Sequence, residues 1–457
     1  MATFTITAQN FVTQDKRTII YDSSISSLKW DDGSYIVKTL KESNEVKIPA
    51  KINKGKKNFQ KIKIQLGLSC NFECEYCSQR FIPKADETNA EYVDDFVNNM
   101  DSWYNGDGNV HFEFWGGEPF VYWKTFKPLA EKLKDKYPNS TRSVITNGSL
   151  LDEEKNKWLE DLDFNVSISH DGPGQFVRGP DPFDDPKSKQ AILNLFKTLA
   201  PKNLISFNPM VNSKNISRAA INDWFINLIT KELGEEYLQY VYFGEGGFVD
   251  AYDEGGLANS LLDSEKDIEY RNLAAAELRS GEANKFGIFS EKTRSFILGL
   301  ENQSRIESLG QKCGMDREDN IAVDLHGNVL TCQNVSIVSN NPAGISHHIG
   351  HVSDLEAVEV KTATHWSDRK ECSNCPVLHL CKGACMFLTG DLWEASCNNA
   401  YSDNVIILCN IIDTLTGYFP IYIDGPLRED RKDLFWIVNG KPDKLRKPKK
   451  VIPIMQG

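Results

Sequence analysis

Hydrophobic positions keep two rhythms along this chain. Between residues 62 and 243, short apolar or alternating runs recur, each followed by a longer stretch with apolar positions three and four apart. The short runs read as strands and the longer stretches as amphipathic helices. Strands are expected at 62–68, 111–115, 143–146, 165–169, 204–211 and 238–243, and helices at 89–103, 124–136, 153–161, 187–199 and 219–232. Strands and helices alternating at this spacing build a parallel sheet with right-handed crossovers. Six units are too few for a closed eight-stranded barrel. The expected fold is therefore α/β, a partial (β/α)6 barrel of the TIM type over residues 61–245.

The flanks read differently. Residues 1–60 carry short strands at 4–6, 18–21, 35–39 and 46–48, separated by turn residues such as Asp31-Asp32-Gly33, with a basic linker at 51–57. They make a small β-rich N-terminal segment. Residues 246–310 form a bridging region with helices at 265–280 and 291–302, residues 311–410 are rich in cysteine, and 411–457 are expected to be a tail.

Composition narrows the function classes. The 457 residues are 40% hydrophobic and carry a net charge of −12, so a sizeable core is available and a phosphate-backbone binder is disfavoured. The one basic run, 441–450, reads as a solvated tail. No stretch approaches the ~18 apolar residues of a membrane span, and residues 1–10 are polar and alternating. The expectation is a soluble, cytoplasmic protein that binds neither nucleic acid nor membrane.

Cysteine changes the picture. Three of the eleven lie at 70, 74 and 77, none occurs in the next 235 positions, and eight crowd between 313 and 409. Clustered thiols in a reducing compartment point to metal rather than disulfides. Cys70, Cys74 and Cys77 follow the first strand of the α/β region; three thiolates can hold three irons of a cubane, leaving the fourth iron open for reaction. A zinc site short of one ligand, or a loop of buried thiols, are the other readings.

The C-x3-C-x2-C spacing, with Tyr76 before the last cysteine, resembles the signature of the radical S-adenosylmethionine (SAM) enzymes. Further segments extend the resemblance across residues 62–243. Gly116-Gly117-Glu118-Pro119 after the second strand is similar to the family's GGEP, whose backbone and glutamate are expected to receive the SAM amino group. Thr146-Asn147-Gly148 after the third resembles TNG. Ser169-His170-Asp171-Gly172-Pro173 after the fourth resembles S-x-D-G-P, followed by Arg178 where relatives often pair an arginine with the SAM carboxylate. Each alone could be an ordinary turn. Together they fall in order at the C-terminal ends of successive strands, where parallel α/β barrels place their active sites.

The second field runs Cys313, Gly327, Cys332, then Cys372-x2-Cys375-x5-Cys381-x3-Cys385, then Cys397. In order and spacing it resembles the seven-cysteine SPASM domain; zinc ribbons also use Cys-x2-Cys pairs. The resemblance implies two auxiliary iron–sulfur clusters, an outer one on Cys372, Cys375, Cys381 and Cys397 and an inner one on Cys313, Cys332 and Cys385. Lacking a further cysteine upstream of Cys313, the inner cluster is expected to have an open iron or a non-cysteine ligand, such as Asp316. Cys409, on an apolar run, reads as a buried thiol, and His347, His348 and His351 as a polar loop.

The resemblance further implies reductive cleavage of SAM on a [4Fe–4S] cluster, an electron donor such as flavodoxin or ferredoxin, and a peptide or protein substrate. Sulfatase-maturing relatives carry an aspartate after the second SPASM cysteine, whereas Gln333 stands here, and an amide is no base at neutral pH. The leading expectation is oxidative modification of a ribosomally made peptide by a thioether or carbon–carbon crosslink, with the leader bound by a separate protein or by residues 1–60. The alternatives are dehydrogenation of a protein side chain or small molecule and, from another class, a non-catalytic iron–sulfur electron carrier.

Overall fold

The computed structural model describes residues 2–38, 55, 57–80, 82–84, 89–341, 344–360 and 364–443. Its centre is an eight-stranded sheet. Five parallel strands follow one another in space: β4 (Lys61–Gln65), β5 (His111–Trp115), β6 (Thr141–Thr146), β7 (Phe164–Ile168) and β8 (Ile205–Phe207). Helices α1 (Val93–Trp103), α2 (Trp123–Lys136), α3 (Glu153–Asp161), α4 (Pro186–Leu199) and α5 (Arg218–Glu232) return the chain between and after them. Their starts are written locally: Asp152, Asp185 and Ser217 each accept a hydrogen bond from a backbone N–H of the first turn of α3, α4 and α5, satisfying donors the helix leaves open.

Alternation sorts each strand into two faces. Outward-facing Phe114 and Phe164 pack on Phe126 of α2 and Trp158 of α3, with Phe114–Phe126 and Trp158–Phe164 ring centroids 4.9 and 5.0 Å apart. The inward face is polar. His111 lies 2.7 Å from Thr141 Oγ1 and 2.9 Å from Ser143 Oγ, and Glu113 pairs with Lys61 and, at 3.7 Å, with Lys63. The lumen is thus lined by hydrogen-bonding groups, not by the apolar layers of a filled TIM barrel.

Two expectations are corrected. No sixth strand forms at 238–243; residues Glu235–Tyr240 make a 3-10 turn and only Phe243 bridges Phe207. The cysteine-rich region joins the central sheet, where β9 (Asn320–Asp324) pairs in parallel with β4 and leads into β10 (Asn328–Leu330) and β11 (His348–His351). Carrying Ile321 and Val323 beside Ile62 and Ile64, β9 extends the same apolar face. Nor is everything beyond 410 a tail: β12 (Phe419–Asp424) pairs antiparallel with β1 (Thr3–Gln9), in a four-stranded sheet with β2 (Lys16–Asp22) and β3 (Ser27–Trp30). Tyr35 makes only an isolated bridge to Lys29, and the strand expected at 46–48 lies outside the described residues.

The bridging region holds α6 (Glu254–Ala258), α7 (Ser264–Ser280) and α8 (Gly287–Glu301). The cysteine-rich region adds short turns α9 (Lys370–Ser373) and α10 (Leu378–Cys381) and a long α11 (Gly390–Thr416) that crosses the boundary expected at 410. Buried Arg218 ties these parts together. Its guanidinium donates to Gly246 O (2.9 Å), Tyr270 Oη of α7 (2.8 Å) and Asp403 Oδ1 of α11 (2.5 Å). Among the described residues no helix is long and apolar enough to cross a membrane.

Candidate functional site

The loop leaving β4 carries Cys70, Cys74 and Cys77, all free thiols. It is held against the loop leaving β5 by backbone contacts: Gly117 N to Gly67 O (3.1 Å) and Glu118 N to Ser69 O (3.0 Å). A Cβ on Gly117 would lie 2.3 Å from Ser69 O, so only glycine permits this approach. Glycine at 117 is thus a packing requirement.

Glu118 sits differently from its expected role. It is 1% exposed and accepts from Phe120 N (3.1 Å), Thr146 Oγ1 (2.8 Å) and Asn147 N (2.8 Å). The carboxylate stitches the GGEP loop, including Pro119, to the TNG loop, and burial pushes its carboxyl up to about 7. Enclosed by donors of its own chain, Glu118 shapes the pocket instead of presenting an open face. Asn147 then donates to Asn71 Oδ1 (2.9 Å), joining the end of β6 to the first cysteine loop.

Asp171 forms a second hub that the sequence motif does not announce. Fully buried Asp171 accepts from Tyr76 Oη (2.5 Å), Arg178 Nε (2.8 Å) and Met210 N (2.8 Å). Arg178 also donates to Asn208 O (3.3 Å) and lies 5.5 Å from the Tyr76 ring centroid, so it already has an internal anion. The Arg178 charge pulls on the Cys74 thiol, which burial nevertheless pushes up to about 12. Ser169 N bonds Thr146 O at 2.7 Å. The residues picked out at the ends of β4, β5, β6 and β7 therefore belong to one connected surface around the three thiols.

The eight other cysteines divide in space. Cys372, Cys375, Cys381 and Cys397 line one cavity together with Trp393, Tyr401 and Arg431. The Arg431 guanidinium, from the region expected to be a tail, donates to Cys397 Sγ (3.3 Å) and Asn398 Oδ1 (2.7 Å). Cys313, Cys332 and Cys385 form the other set: burial first, then the charge of Asp250 and after it those of Cys313 and Cys332, push the Cys385 thiol up. Lys63, from the barrel lumen, pulls the other way on Cys313 and Cys332. Its ammonium donates to Gln333 Oε1 (3.2 Å), while Gln65 donates to the carbonyls of Gln333 and Val335 (both 2.7 Å). The inner set thus adjoins the barrel.

One local pattern recurs at these thiols. The backbone N–H two residues on points at the sulfur: Phe72 to Cys70 (3.3 Å), Gln79 to Cys77 (3.4 Å) and Asn334 to Cys332 (3.3 Å). Met315, Val377 and Phe387 stand in the same relation to Cys313, Cys375 and Cys385. Such donors stabilise thiolates and tune iron–sulfur clusters. Cys409 has no such donor among the described contacts and lies in the apolar core of α11. Among the described residues, no group of three or more His, Cys, Asp or Glu could hold a single metal ion; the four outer thiols line a shared cavity. The three histidines do not converge: buried His347 bonds Thr331 Oγ1 (2.6 Å), whereas His348 and His351 lie exposed on β11.

Residues 64–211 match the family model of the radical SAM superfamily. The radical SAM cyclopropyl synthase TigE of Paramaledivibacter caminithermalis is 22% identical over 350 residues, covering 71% of this chain and 67% of that protein. The cysteine-type anaerobic sulfatase-maturating enzyme of Clostridium perfringens is 21% identical over 347 residues, covering 69% and 85%. The solved structure of native anSMEcpe with bound AdoMet and Cp18Cys peptide superposes with a TM-score of 0.52 at 22% identity, over 78% of this chain and 99% of that one. Identity at this level makes the last likeness one of fold. A radical SAM domain takes SAM and a [4Fe–4S] cluster as cofactors, and three free thiols on one loop suit the cluster. The chain contains a radical SAM domain at residues 64–211.

Proposed function

We propose that this enzyme carries a SPASM-type region with two auxiliary iron–sulfur clusters and oxidatively modifies a ribosomally made peptide, forming a thioether or carbon–carbon crosslink. The observation that carries the reading is the pair of thiol sets outside the radical SAM loop, one lining a single cavity and the other adjoining the barrel lumen. The peptide held by the similar anSMEcpe structure supports a peptide substrate.

In this reading Cys70, Cys74 and Cys77 hold the radical SAM cluster, which with SAM supplies a 5′-deoxyadenosyl radical able to take hydrogen from unactivated carbon. Tyr76, Gly116, Gly117, Asn147, Ser169 and Arg178 shape the SAM pocket, Glu118 and Asp171 being the buried anions that hold its walls together. The polar lumen fixes the substrate by hydrogen bonds, and the two thiol sets give the electron of the substrate radical a route away from the barrel.

Gln333 bears on the reaction. It stands where maturase relatives carry their base, and its oxygen is occupied by Lys63. That disfavours side-chain dehydrogenation in the maturase manner, although maturases are among the similar proteins. An electron donor of the flavodoxin or ferredoxin type and a separate leader-binding protein complete the proposal.

The test is anaerobic reconstitution with iron, sulfide, SAM and dithionite. Formation of 5′-deoxyadenosine, and its loss in Cys74→Ala, separate the enzyme from an electron-carrying scaffold. Incubation with a short precursor peptide encoded beside the gene should remove two hydrogens per crosslink, read by tandem mass spectrometry. Loss of hydrogen from one side chain without a crosslink would transfer the assignment to dehydrogenation.

A further inference from the structure

The inner set has three thiols, and a cubane has four irons. The tripeptide 250–252 lies where the two auxiliary sets meet. Ala251 N donates to Ser396 Oγ (2.7 Å), one residue before Cys397, and Tyr252 packs in the same apolar cluster as Cys385, Cys397 and Trp393. The turn bearing Cys313 is drawn to the one bearing Cys385 by Lys312 N donating to Lys382 O (3.2 Å). Lys312, one residue before Cys313, donates through its ammonium to Asp250 Oδ2 (2.9 Å), and Tyr252 Oη reaches the same oxygen at 3.4 Å. Both fixed contacts fall on Oδ2. Asp250 Oδ1 has no hydrogen bond among the described contacts.

The carboxylate lies on the Cys385 side of the inner set, where Tyr252 packs with Cys385. After burial, Asp250 is the charge that bears most on the Cys385 thiol, ahead of Cys313 and Cys332. The Tyr252 hydroxyl is raised by burial, then by Asp250, Cys385, Cys332 and Cys313 in that order. The other acid near this set, Asp316, is placed otherwise. It bears on Cys313, after Lys63, its Oδ2 accepts from Gln311 N (2.8 Å) and lies 3.7 Å from His365 Nε2, and its buried Oδ1 has no hydrogen bond among the described residues.

We propose that Asp250 is the fourth ligand of the inner auxiliary cluster, binding through Oδ1 while Lys312 and Tyr252 hold Oδ2. The assignment rests on the reading that Cys313, Cys332 and Cys385 hold that cluster. Asp250 follows the barrel's last bridge, Val211 to Phe248, so the ligand comes from the barrel side and from no part of the cysteine pattern. A carboxylate is a harder donor than a thiolate and raises the potential of the iron it binds. The inner cluster is then closed to a substrate thiol and acts as an electron acceptor.

The experiment uses full-length protein in a Cys70/Cys74/Cys77→Ala background, so that only auxiliary clusters contribute, and reads iron content and the electron paramagnetic resonance spectrum with and without potassium cyanide. The background should hold about eight irons and ignore cyanide. Adding Asp250→Ala should open one iron and make the inner signal respond to cyanide. Adding Asp250→Cys should keep all the iron and the insensitivity while moving the inner midpoint to a more negative potential; this variant decides the matter if the alanine variant fails to fold. A background that already responds to cyanide, an unchanged midpoint in Asp250→Cys, or cyanide sensitivity appearing with Asp316→Ala and not with Asp250→Ala would overturn the assignment. A background holding only about four irons would instead remove the two-cluster reading itself.

Discussion

The Arg431 guanidinium donates a hydrogen bond to the Cys397 sulfur across 3.3 Å, bringing a buried cation from the C-terminal region onto the outer thiol set. A positive charge beside a cluster favours its reduced, more negative form. Arg431→Gln should lower the midpoint of the outer cluster, on the order of 59 mV for each tenfold change in relative affinity for the electron. Potentiometric titration followed by paramagnetic resonance checks this, with the radical SAM cluster as internal control.

Asp171 joins Tyr76 to Arg178, and its loss leaves a buried guanidinium without its anion. Asp171→Asn should cost about 3–5 kcal/mol of stability and weaken SAM binding at least tenfold. Arg178→Ala should weaken SAM binding while leaving iron content unchanged. Denaturant titration and equilibrium binding measure the two effects separately; wild-type SAM affinity in Arg178→Ala would reduce Arg178 to a structural cation.

Glu118 gives the protein a pH dependence of definite sign. Burial raises its carboxyl from an ordinary 4.5 to about 7. The folded state therefore binds more protons than the unfolded state between those values, and stability falls as pH rises through the interval. The loss attributable to this group is about 3 kcal/mol at most, at roughly 1.4 kcal/mol per unit. Denaturation midpoints of wild type and Glu118→Gln from pH 5 to 8 should show the fall in the former and a flatter profile in the latter.

Cys409 is a core thiol, and Cys397, three turns earlier on the same helix, faces the outer cavity. Cys409→Ala should keep the full iron complement and lose about 1–2 kcal/mol of stability. Cys397→Ala should lose the iron of one cluster. Iron analysis and thermal melts distinguish them.

The sequence was informative where the cause was local. Helix α3 starts where Asp152 caps it, and the thiols line up because each sits on a short loop with its own spacing. What escaped depended on partners far along the chain. The pairing of Ile62 with Ile321 joins residues from the two cysteine fields, and no periodicity announces it. In the sequence Asp171 reads only as part of a turn motif, and nothing near it marks it as the anion binding both Tyr76 and Arg178. Arg431 lies outside any motif, and the strand expected at 238–243 yielded to a 3-10 turn once Phe243 alone found a bridging partner.

The pairing of β1 with β12 has a consequence for the order in which this enzyme is made. Synthesis begins at the N-terminus, so β1 meets β2 almost at once, but its other edge stays bare until residues 419–424 have left the ribosome. Arg431 emerges later still, after all four outer thiols. Until it does, those thiols lack the cation that covers Cys397 in the folded protein.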